Sequence, residues 1–186
     1  TKDDLSGWLN TKKIACFVTA TNPEYHSIVD NTTAYKFGKK EVKLTGFPRY
    51  DRLLINNNTE SKQILIMPTW RSSIVGTYIS GTERTRNPDF MKTNYAKHWH
   101  GFMNHAILKE LNDQGYQIVF APHPSIQEYM DEFTVPDFIK IYSYSEGNIQ
   151  SVFQNTSILI TDYSSVAFDV AYLNKAILYY QFDYDE

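Results

Sequence analysis

Seven short apolar runs, each long enough for one β-strand, recur along the chain and constrain its fold more than any other feature. Most of them are continuous rather than alternating, as in "QILIM" and "SILI", which is typical of strands buried on both faces of a parallel sheet. Helical patterns lie between them; "NIQSVFQN" places Ile149, Val152 and Phe153 at helical spacing. Strands that alternate with helices predict an α/β fold with a doubly wound, mainly parallel, Rossmann-like sheet.

Two helical patterns and one long connection carry more specific expectations. "FMNHAILKELND" predicts a single helix with Met103 and Ile107 on the same face. "SVAFDVAYL" is apolar on two sides, with Phe168 and Tyr172 on the second side, which predicts a buried helix. The stretch from residue 72 to residue 94 is too long for an ordinary connection, so it is either an active-site flap or a disordered insertion.

Length and composition indicate one globular domain. The 186 residues are 42% hydrophobic and 21% charged, and no apolar run reaches the roughly 18 residues that cross a bilayer. The net charge of −3 argues against a general nucleic-acid binder. The one cysteine, Cys16, lies in an apolar run and is predicted to be buried in a reducing compartment. We predict a single α/β nucleotide-binding domain over residues 1–186, and expect it to be a fragment of a longer two-domain enzyme.

Polar clusters follow four of the predicted strands. In an open parallel sheet the carboxyl ends of the strands share one edge, and ligands bind along that edge. The sequence therefore predicts that four clusters from distant parts of the chain meet at one crevice. The clusters are "GFPRYDR" at 46–52, "PTWR" at 68–71, "PHPS" at 122–125 and "TDYSS" at 161–165.

The side chains of these clusters are suited to an anionic ligand. Arginines such as Arg49 and Arg71 carry fixed charge and forked donors that match phosphate. His123 is able to donate a hydrogen bond or to carry a proton beside a phosphate. Ser164 and Ser165 are predicted to begin a helix, where free N–H groups and the helix dipole favour an anion.

Each cluster also has a purely structural interpretation, and the sequence leaves both open. Asp162 and the two serines could be ordinary helix caps, and the residues around Arg49 could form a solvated turn. Pro122-His123-Pro124 could be a rigid exit from a strand, and Arg71 could stack on the adjacent Trp70. No metal is predicted, because no zinc-binding or cysteine-cluster motif is present, and the acidic run at 183–186 is interpreted as a solvated loop.

Four segments, in this order, resemble the CDP-glycerol glycerophosphotransferase family, which includes the teichoic-acid primases and polymerases of bacterial walls and related capsule enzymes. The segments are "TGFPRYDRLL", "ILIMPTWR", "FAPHPS" and "ILITDYSSVAFDVAYLNKAILYYQFDYDE". The resemblance runs from about Ala15 to Glu186, and "TDYSS" with its following helix is its most specific part. Two departures leave donor and acceptor open: Ala121 stands where the family often has arginine, and the segment after Arg71 is long.

The resemblance implies that this chain is the C-terminal, nucleotide-binding half of a GT-B enzyme. An N-terminal half, outside this chain, would supply much of the acceptor site and the general base. His123 matches the motif histidine near the donor phosphates and is our candidate catalytic residue. The candidate donor- and phosphate-binding residues are Arg49, Arg71, Asp162, Tyr163, Ser164 and Ser165.

The implied activity is transfer of glycerol phosphate, or another polyol phosphate, from a CDP-linked donor to a hydroxyl of a growing teichoic-acid or capsule polymer, with release of CMP. No cofactor is implied, since the CDP-linked donor is a substrate. The resemblance places the full protein in the cytoplasm, as a peripheral protein at the inner face of the membrane. The alternatives are a GT-B glycosyltransferase with another sugar nucleotide and a non-catalytic Rossmann-like binding module.

Overall fold

A computed structural model describes residues 4–74, 76–80, 83–145 and 147–184. The chain divides into two compact units, residues 1–52 and residues 53–186, and the boundary lies inside one helix. Each unit is described by itself. The prediction of one nucleotide-binding domain over the whole chain stays a prediction.

The first unit contains a small β-α-β element. Two parallel strands, β1 (Phe17–Thr19) and β2 (Val42–Leu44), flank helix α2 (Asn22–Val29) and are preceded by the short helix α1 (Ser6–Leu9). Thr21 begins α2 by accepting a hydrogen bond from the Glu24 amide, as an N-cap residue does. Helix α3 (Pro48–Ile55) follows β2 and crosses into the second unit.

Two predictions for the first unit are wrong. The strand before the "GFPRYDR" cluster pairs with β1 in a separate two-stranded sheet, so the four clusters do not all follow strands of one sheet. Cys16 is exposed rather than buried, because β1 begins only at the next residue.

The second unit is built on a five-stranded parallel sheet, which confirms the predicted α/β fold class. The three central strands are apolar runs with ladders on both sides, and β3 is buried at every position. An antiparallel pair, β4 with β5, stands apart from this sheet. The strands are β3 (Gln63–Ile66), β4 (Tyr78–Ser80), β5 (Glu83–Arg84), β6 (Gln117–Phe120), β7 (Ile139–Ile141), β8 (Ile158–Thr161) and β9 (Ala176–Tyr179).

The order of the strands creates a switch point between β3 and β8. From β3 the chain proceeds outward through β6 to β7, then returns to the other side of β3 and continues through β8 to β9. Connections therefore leave β3 and β8 in opposite directions, and a crevice opens at their carboxyl ends. In open α/β sheets, this is where ligands bind.

Five helices surround this sheet: α4 (Asn94–Met103), α5 (Ala106–Asp113), α6 (Pro124–Gln127), α7 (Ile149–Gln154) and α8 (Val166–Tyr172). The stretch predicted as one helix is two, because α4 ends at Met103 and His105 begins α5 by accepting from the Ile107 amide. Met103 is fully buried, whereas Ile107, predicted on the same face, is largely exposed. The break turns the second helix away from the face that sequence spacing assigned to it.

Helix α8 is buried on one side only. Ala167 and Val170 lie in the core, while Phe168 is 73% exposed and Tyr172 is also exposed. The prediction of a fully buried helix is therefore wrong for this side of the helix. Its apolar sequence alone could not show which side the sheet would cover.

The long connection at 72–94 contains structure of its own. It comprises a 3₁₀ turn at Ser72–Ile74, the β4–β5 pair and a second 3₁₀ turn at Phe90–Lys92. Phe90 is fully buried and its ring stacks on that of Tyr129, with the centroids 4.2 Å apart. Over its described residues this segment is thus part of the core, and the prediction of a disordered insertion is wrong.

Across the described ranges, no helix has both the length and the apolar character that a membrane crossing needs.

Candidate functional site

Three of the four polar clusters lie at the carboxyl edge of the five-stranded sheet. "PTWR" follows β3, "PHPS" follows β6 and "TDYSS" follows β8. Because β3 lies between β6 and β8, these three clusters follow adjacent strands. The switch point between β3 and β8 therefore carries the polar side chains that the sequence singled out.

Asp162 ties the ends of β3 and β8 together. Its side chain is fully buried, and its Oδ1 accepts from the Thr69 amide at 2.8 Å and from the Tyr163 amide at 2.7 Å. Its second oxygen, Oδ2, lies 2.9 Å from Arg71 Nη2. Asp162 orders the turn after β8, as one interpretation of the sequence held, and makes no cap to α8.

Arg71 is held between two carboxylates, and we call Arg71, Asp162 and Asp183 the Arg71 clamp. Asp183 Oδ2 accepts from Arg71 Nη2 at 2.9 Å and from Nε at 3.2 Å, while Nη1 donates to the Thr69 carbonyl at 2.8 Å. Arg71 is 22% exposed and Asp183 13%. Burial by itself lowers the pKa of the guanidinium, but the charges of Asp162 and Asp183 outweigh it and raise that pKa. The clamp as a whole carries one negative charge.

Several oxygens around the clamp are buried without a hydrogen bond among the described residues. They are Asp183 Oδ1, Thr69 Oγ1 and Tyr95 Oη, whereas Asp162 Oδ2 is ion-paired with Arg71. Tyr95 lies on α4, with its ring centroid 5.8 Å from the Arg71 guanidinium carbon. Burial, with the nearby charge of Asp162, raises the pKa of Tyr95 well above its usual range. Arg71 is paired with two carboxylates and is therefore not a free cation at this edge.

His123 is fixed at the end of β6. It stands before α6, and its Nδ1 accepts from the Ser125 amide at 3.2 Å. The Trp70 ring stacks on the imidazole, with the centroids 5.5 Å apart and the planes inclined by 26°. Burial lowers the pKa of His123. The imidazole is therefore neutral near pH 7, with its proton on Nε2, because Nδ1 is occupied as an acceptor.

Ser164 and Ser165 lie where α8 begins. Ser164 Oγ accepts from the Val166 amide at 3.4 Å, a weak cap, while the Ser165 side chain caps nothing and is exposed. Tyr163 is also exposed, and its ring lies 4.9 Å from the Arg71 guanidinium carbon. Arg71 thus stacks on Tyr163, whereas the sequence had pointed to Trp70.

Arg49 belongs to the other unit. It lies in the first turn of α3, is exposed, and stacks on the rings of Phe47 and Tyr50 with guanidinium-to-centroid distances of 5.3 and 4.9 Å. Helix α3 begins at Pro48, and Gly46 before it has a left-handed backbone with φ of 74°. A role for Arg49 in donor binding stays a prediction.

Asp183 and Trp70 are the two members of this edge that the sequence reasoning missed. Asp183 was assigned to a solvated loop, yet it pairs with Arg71. A usable signal was present: Asp183 follows β9, so the rule that exposed the other clusters applied to it as well. Within the described ranges, no group of three or more His, Cys, Asp or Glu side chains is arranged to hold a metal ion.

Two relatives of this chain are named as teichoic-acid proteins. Minor teichoic acid biosynthesis protein GgaB of Bacillus subtilis (strain 168) is 40% identical over 188 residues, which cover 98% of this chain and 20% of that protein. Teichoic acid glycerol-phosphate transferase of Staphylococcus aureus is 26% identical over 186 residues, or 91% of this chain and 42% of that protein. The chain therefore spans well under half of the length of these relatives.

A solved structure of the wall teichoic acid polymerase TagF shares the fold, with a TM-score of 0.57, 21% identity, and coverage of 92% of this chain and 40% of that one. Residues 2–186 match the family described as CDP-Glycerol:Poly(glycerophosphate) glycerophosphotransferase. The resemblance carried by the four sequence segments is thus confirmed. This chain belongs to the CDP-glycerol:poly(glycerophosphate) glycerophosphotransferase family.

Proposed function

We propose that this chain is the donor-binding half of a CDP-glycerol transferase, which moves glycerol phosphate to a hydroxyl of a growing wall teichoic acid or capsule polymer. The observation that carries the proposal is the set of family motifs at the switch point of the sheet, where Asp162 joins the ends of β3 and β8. An open parallel sheet binds its ligand at that place. The polar side chains there are suited to bind the diphosphate of a CDP-linked donor.

The reaction breaks the pyrophosphate linkage of the donor. An acceptor hydroxyl attacks the phosphorus that bears glycerol, the bond from that phosphorus to the bridging oxygen breaks, and CMP leaves with that oxygen. The hydroxyl proton passes to a general base, which we assign to an N-terminal half outside this chain. Catalysis of such a step rests on positioning and on stabilising charge at the phosphoryl oxygens.

His123 is the proposed catalytic residue. Its neutral imidazole carries a proton on Nε2, because Nδ1 accepts from the Ser125 amide. It is therefore suited to donate a hydrogen bond to a phosphate oxygen as CMP leaves. We assign this role, rather than that of a strong acid, because the pKa of His123 is lowered by burial.

The remaining residues bind the donor in this proposal. Ser164 and Ser165 lie at the start of α8 and would contribute hydroxyl and amide donors to a phosphate, with Tyr163 beside them. Asp162 and Arg71 would act chiefly by holding the ends of β3 and β8 in place. Arg49 would also bind the donor, as the family motif implies.

The whole enzyme would have the two-domain GT-B arrangement and would work as a peripheral protein at the cytoplasmic face of the membrane, where the polymer acceptor is built. The donor itself is the only small molecule that the proposal requires. Two rivals predict different ligands: a glycosyltransferase would prefer another sugar nucleotide, and a non-catalytic module would bind no nucleotide.

Calorimetric titration of the chain with CDP-glycerol tests the proposal. We expect saturable binding that is stronger than binding of a UDP-sugar, with CMP as the fragment that both the donor and the product share. His123→Ala and Ser165→Ala should each weaken CDP-glycerol binding by about 10- to 150-fold, as the loss of one hydrogen bond to a charged group would do.

Ser151→Ala is the matched control. Ser151 is exposed on α7, the helix that leads into the amino end of β8, opposite the proposed site. Its removal should leave affinity unchanged. A folded chain that prefers a UDP-sugar would support the glycosyltransferase. If the longer enzyme that contains this chain binds no nucleotide, the non-catalytic module becomes the supported interpretation.

A further inference from the structure

His123 is held from two directions, and only one of them comes from its own loop. Within the loop, the Ser125 amide donates to Nδ1, and prolines precede and follow the histidine. From across the sheet edge, the Trp70 ring covers one face of the imidazole. Within the residues that the structure describes, Nε2 makes no hydrogen bond. Both contacts therefore leave the Nε2–H group available.

The bond from Ser125 exists only while the imidazole is neutral. An imidazolium carries protons on both nitrogens, so Nδ1 would turn from acceptor to donor and face the Ser125 amide hydrogen. Burial of the ring, to which the Trp70 cover contributes, lowers the pKa of His123 and so opposes protonation further, although an aromatic face also attracts a cation, which acts in the opposite sense. The two contacts thus favour the same protonation state and the same tautomer.

Trp70 is itself fixed by the Arg71 clamp. The residue before it, Thr69, donates its amide hydrogen to Asp162 and accepts at its carbonyl from Arg71 Nη1. The residue after it is Arg71, which Asp183 holds through two donors. The backbone on both sides of Trp70 is therefore tied to buried charged groups at the ends of β8 and β9.

We propose that Trp70 is a positioning residue for His123: its ring, set in place by the Arg71 clamp, holds the imidazole in the neutral form that presents Nε2–H to a phosphate oxygen of the donor. The identity of that phosphate rests on the function proposed above. The state of the imidazole does not, because it follows from contacts within the chain.

Within the described ranges, no charged group contributes to the lowered pKa of His123. Burial is the one cause of the lowered pKa of His123, and the groups in contact with its ring, Trp70 and the Ser125 amide, carry no charge. A change in the titration of His123 after a change at Trp70 would thus report on the cover of the ring.

Nuclear magnetic resonance of the ¹⁵N-histidine-labelled chain measures the tautomer and the titration directly. The chain has five histidines, and His123→Gln identifies the signal of interest by its loss. We expect the Nε2–H tautomer in the native protein. Trp70→Leu should raise the pKa of His123 toward its ordinary value and weaken CDP-glycerol binding about three- to tenfold, the range of one aromatic contact. Trp70→Phe should restore most of both.

Trp8→Leu is the control, because Trp8 is 61% exposed and lies in the first unit. Three results would overturn the proposal: a native Nδ1–H tautomer, a pKa of His123 that Trp70→Leu leaves unchanged, or a pKa of His123 that Trp70→Leu lowers. If Trp70→Leu does not fold, the native tautomer and Trp70→Phe still decide. If the longer enzyme that contains this chain binds no CDP-glycerol, the proposed function fails, while the histidine titration of the chain still tests the positioning.

Discussion

At the scale of single residues, the Arg71 clamp places three charged side chains at the carboxyl edge of the five-stranded sheet. Two carboxylates share one guanidinium, and the more deeply buried of them, Asp162, has no exposure to solvent. A buried charge is tolerated only with partners, so the loss of the arginine would leave two carboxylates uncompensated. The clamp therefore links stability to the geometry of the site.

Removing the arginine should cost more than removing either carboxylate. Arg71→Leu leaves two carboxylates facing each other and should destabilise the protein by about 3–5 kcal/mol. Asp183→Asn keeps a polar partner and should cost about 1–2 kcal/mol. Urea unfolding measures both. Arg86→Leu is the matched control, since Arg86 also pairs with two carboxylates but at the surface. This substitution should lower the free energy of unfolding by far less. Equal losses for the two arginines would contradict a buried clamp.

Tyr95 and Tyr129 form a natural pair for testing a buried hydroxyl without a partner. Both rings are buried, but only the Tyr129 hydroxyl is bonded, accepting from the Asn87 amide at 2.8 Å. Tyr95→Phe should therefore leave stability unchanged or raise it by up to about 1 kcal/mol, whereas Tyr129→Phe should lower it by about 1 kcal/mol. Thermal unfolding compares them. A loss at Tyr95 as large as that at Tyr129 would show that its hydroxyl has a partner.

The same tyrosine predicts a dependence on alkaline pH. The pKa of Tyr95 is raised in the folded state, so above about pH 10 an unfolded chain releases that proton while the native one keeps it. The stability contributed by Tyr95 is complete below that pH and falls as pH rises. Tyr95→Phe should remove this part of the alkaline loss, measured as unfolding free energy between pH 9 and 11. An unchanged slope would contradict the raised pKa.

At the scale of elements, helix α8 depends on its two ends more than on its middle. It begins beside Ser164 and Ser165 and ends at Tyr172, and Asn174, two residues further on, has a left-handed backbone with φ of 57°. After this residue, the Lys175 amide donates back to the Val170 carbonyl and the chain enters β9. The left-handed residue thus sets the direction in which β9 joins the sheet.

Substitutions at Asn174 should follow backbone preference. Asn174→Gly should keep or slightly raise stability, because glycine adopts this conformation freely, whereas Asn174→Ala should cost about 1 kcal/mol. Urea unfolding gives both values. Asn112→Ala, inside α5 where the backbone is right-handed, should not destabilise in this way. If alanine were tolerated equally at both positions, the helix stop would not depend on Asn174.

At the scale of the whole molecule, the second unit carries the parallel sheet, the large core and most of the candidate residues. Its boundary falls inside α3, whose Leu53 is almost fully buried and whose Leu53 carbonyl accepts from Gln154. Helix α3 is therefore needed by the second unit although it starts in the first.

Residues 48–186, which retain all of α3, should fold on their own. We expect a dispersed NMR spectrum and one cooperative unfolding transition, because the main aromatic core and the five-stranded sheet lie within this range. Residues 56–186 are the comparison; loss of the buried Leu53 should lower stability by about 2–5 kcal/mol. A longer fragment that stays unfolded would show that this core requires the first unit.

The sequence by itself determined the strands of the two parallel sheets, the fold class, the family and the position of the polar residues relative to strand ends, but not β4 and β5. These follow from local pattern: continuous apolar runs predict buried parallel strands, and "PTWR", "PHPS" and "TDYSS" directly follow three of them. Pattern also placed Asp162 and His123 at one sheet edge, because all carboxyl ends of a parallel sheet lie together.

Only the tertiary structure decided which side chains meet. It paired Arg71 with Asp183, 112 positions apart, and it set Trp70 against His123. It also assigned β2 to a separate sheet, exposed one side of α8 and placed Phe90 in the core. These outcomes depend on strand order and on contacts between distant segments. Local residue pattern carries no information about either. A sequence therefore shows which polar residues follow a strand, but not which residues of distant segments they contact.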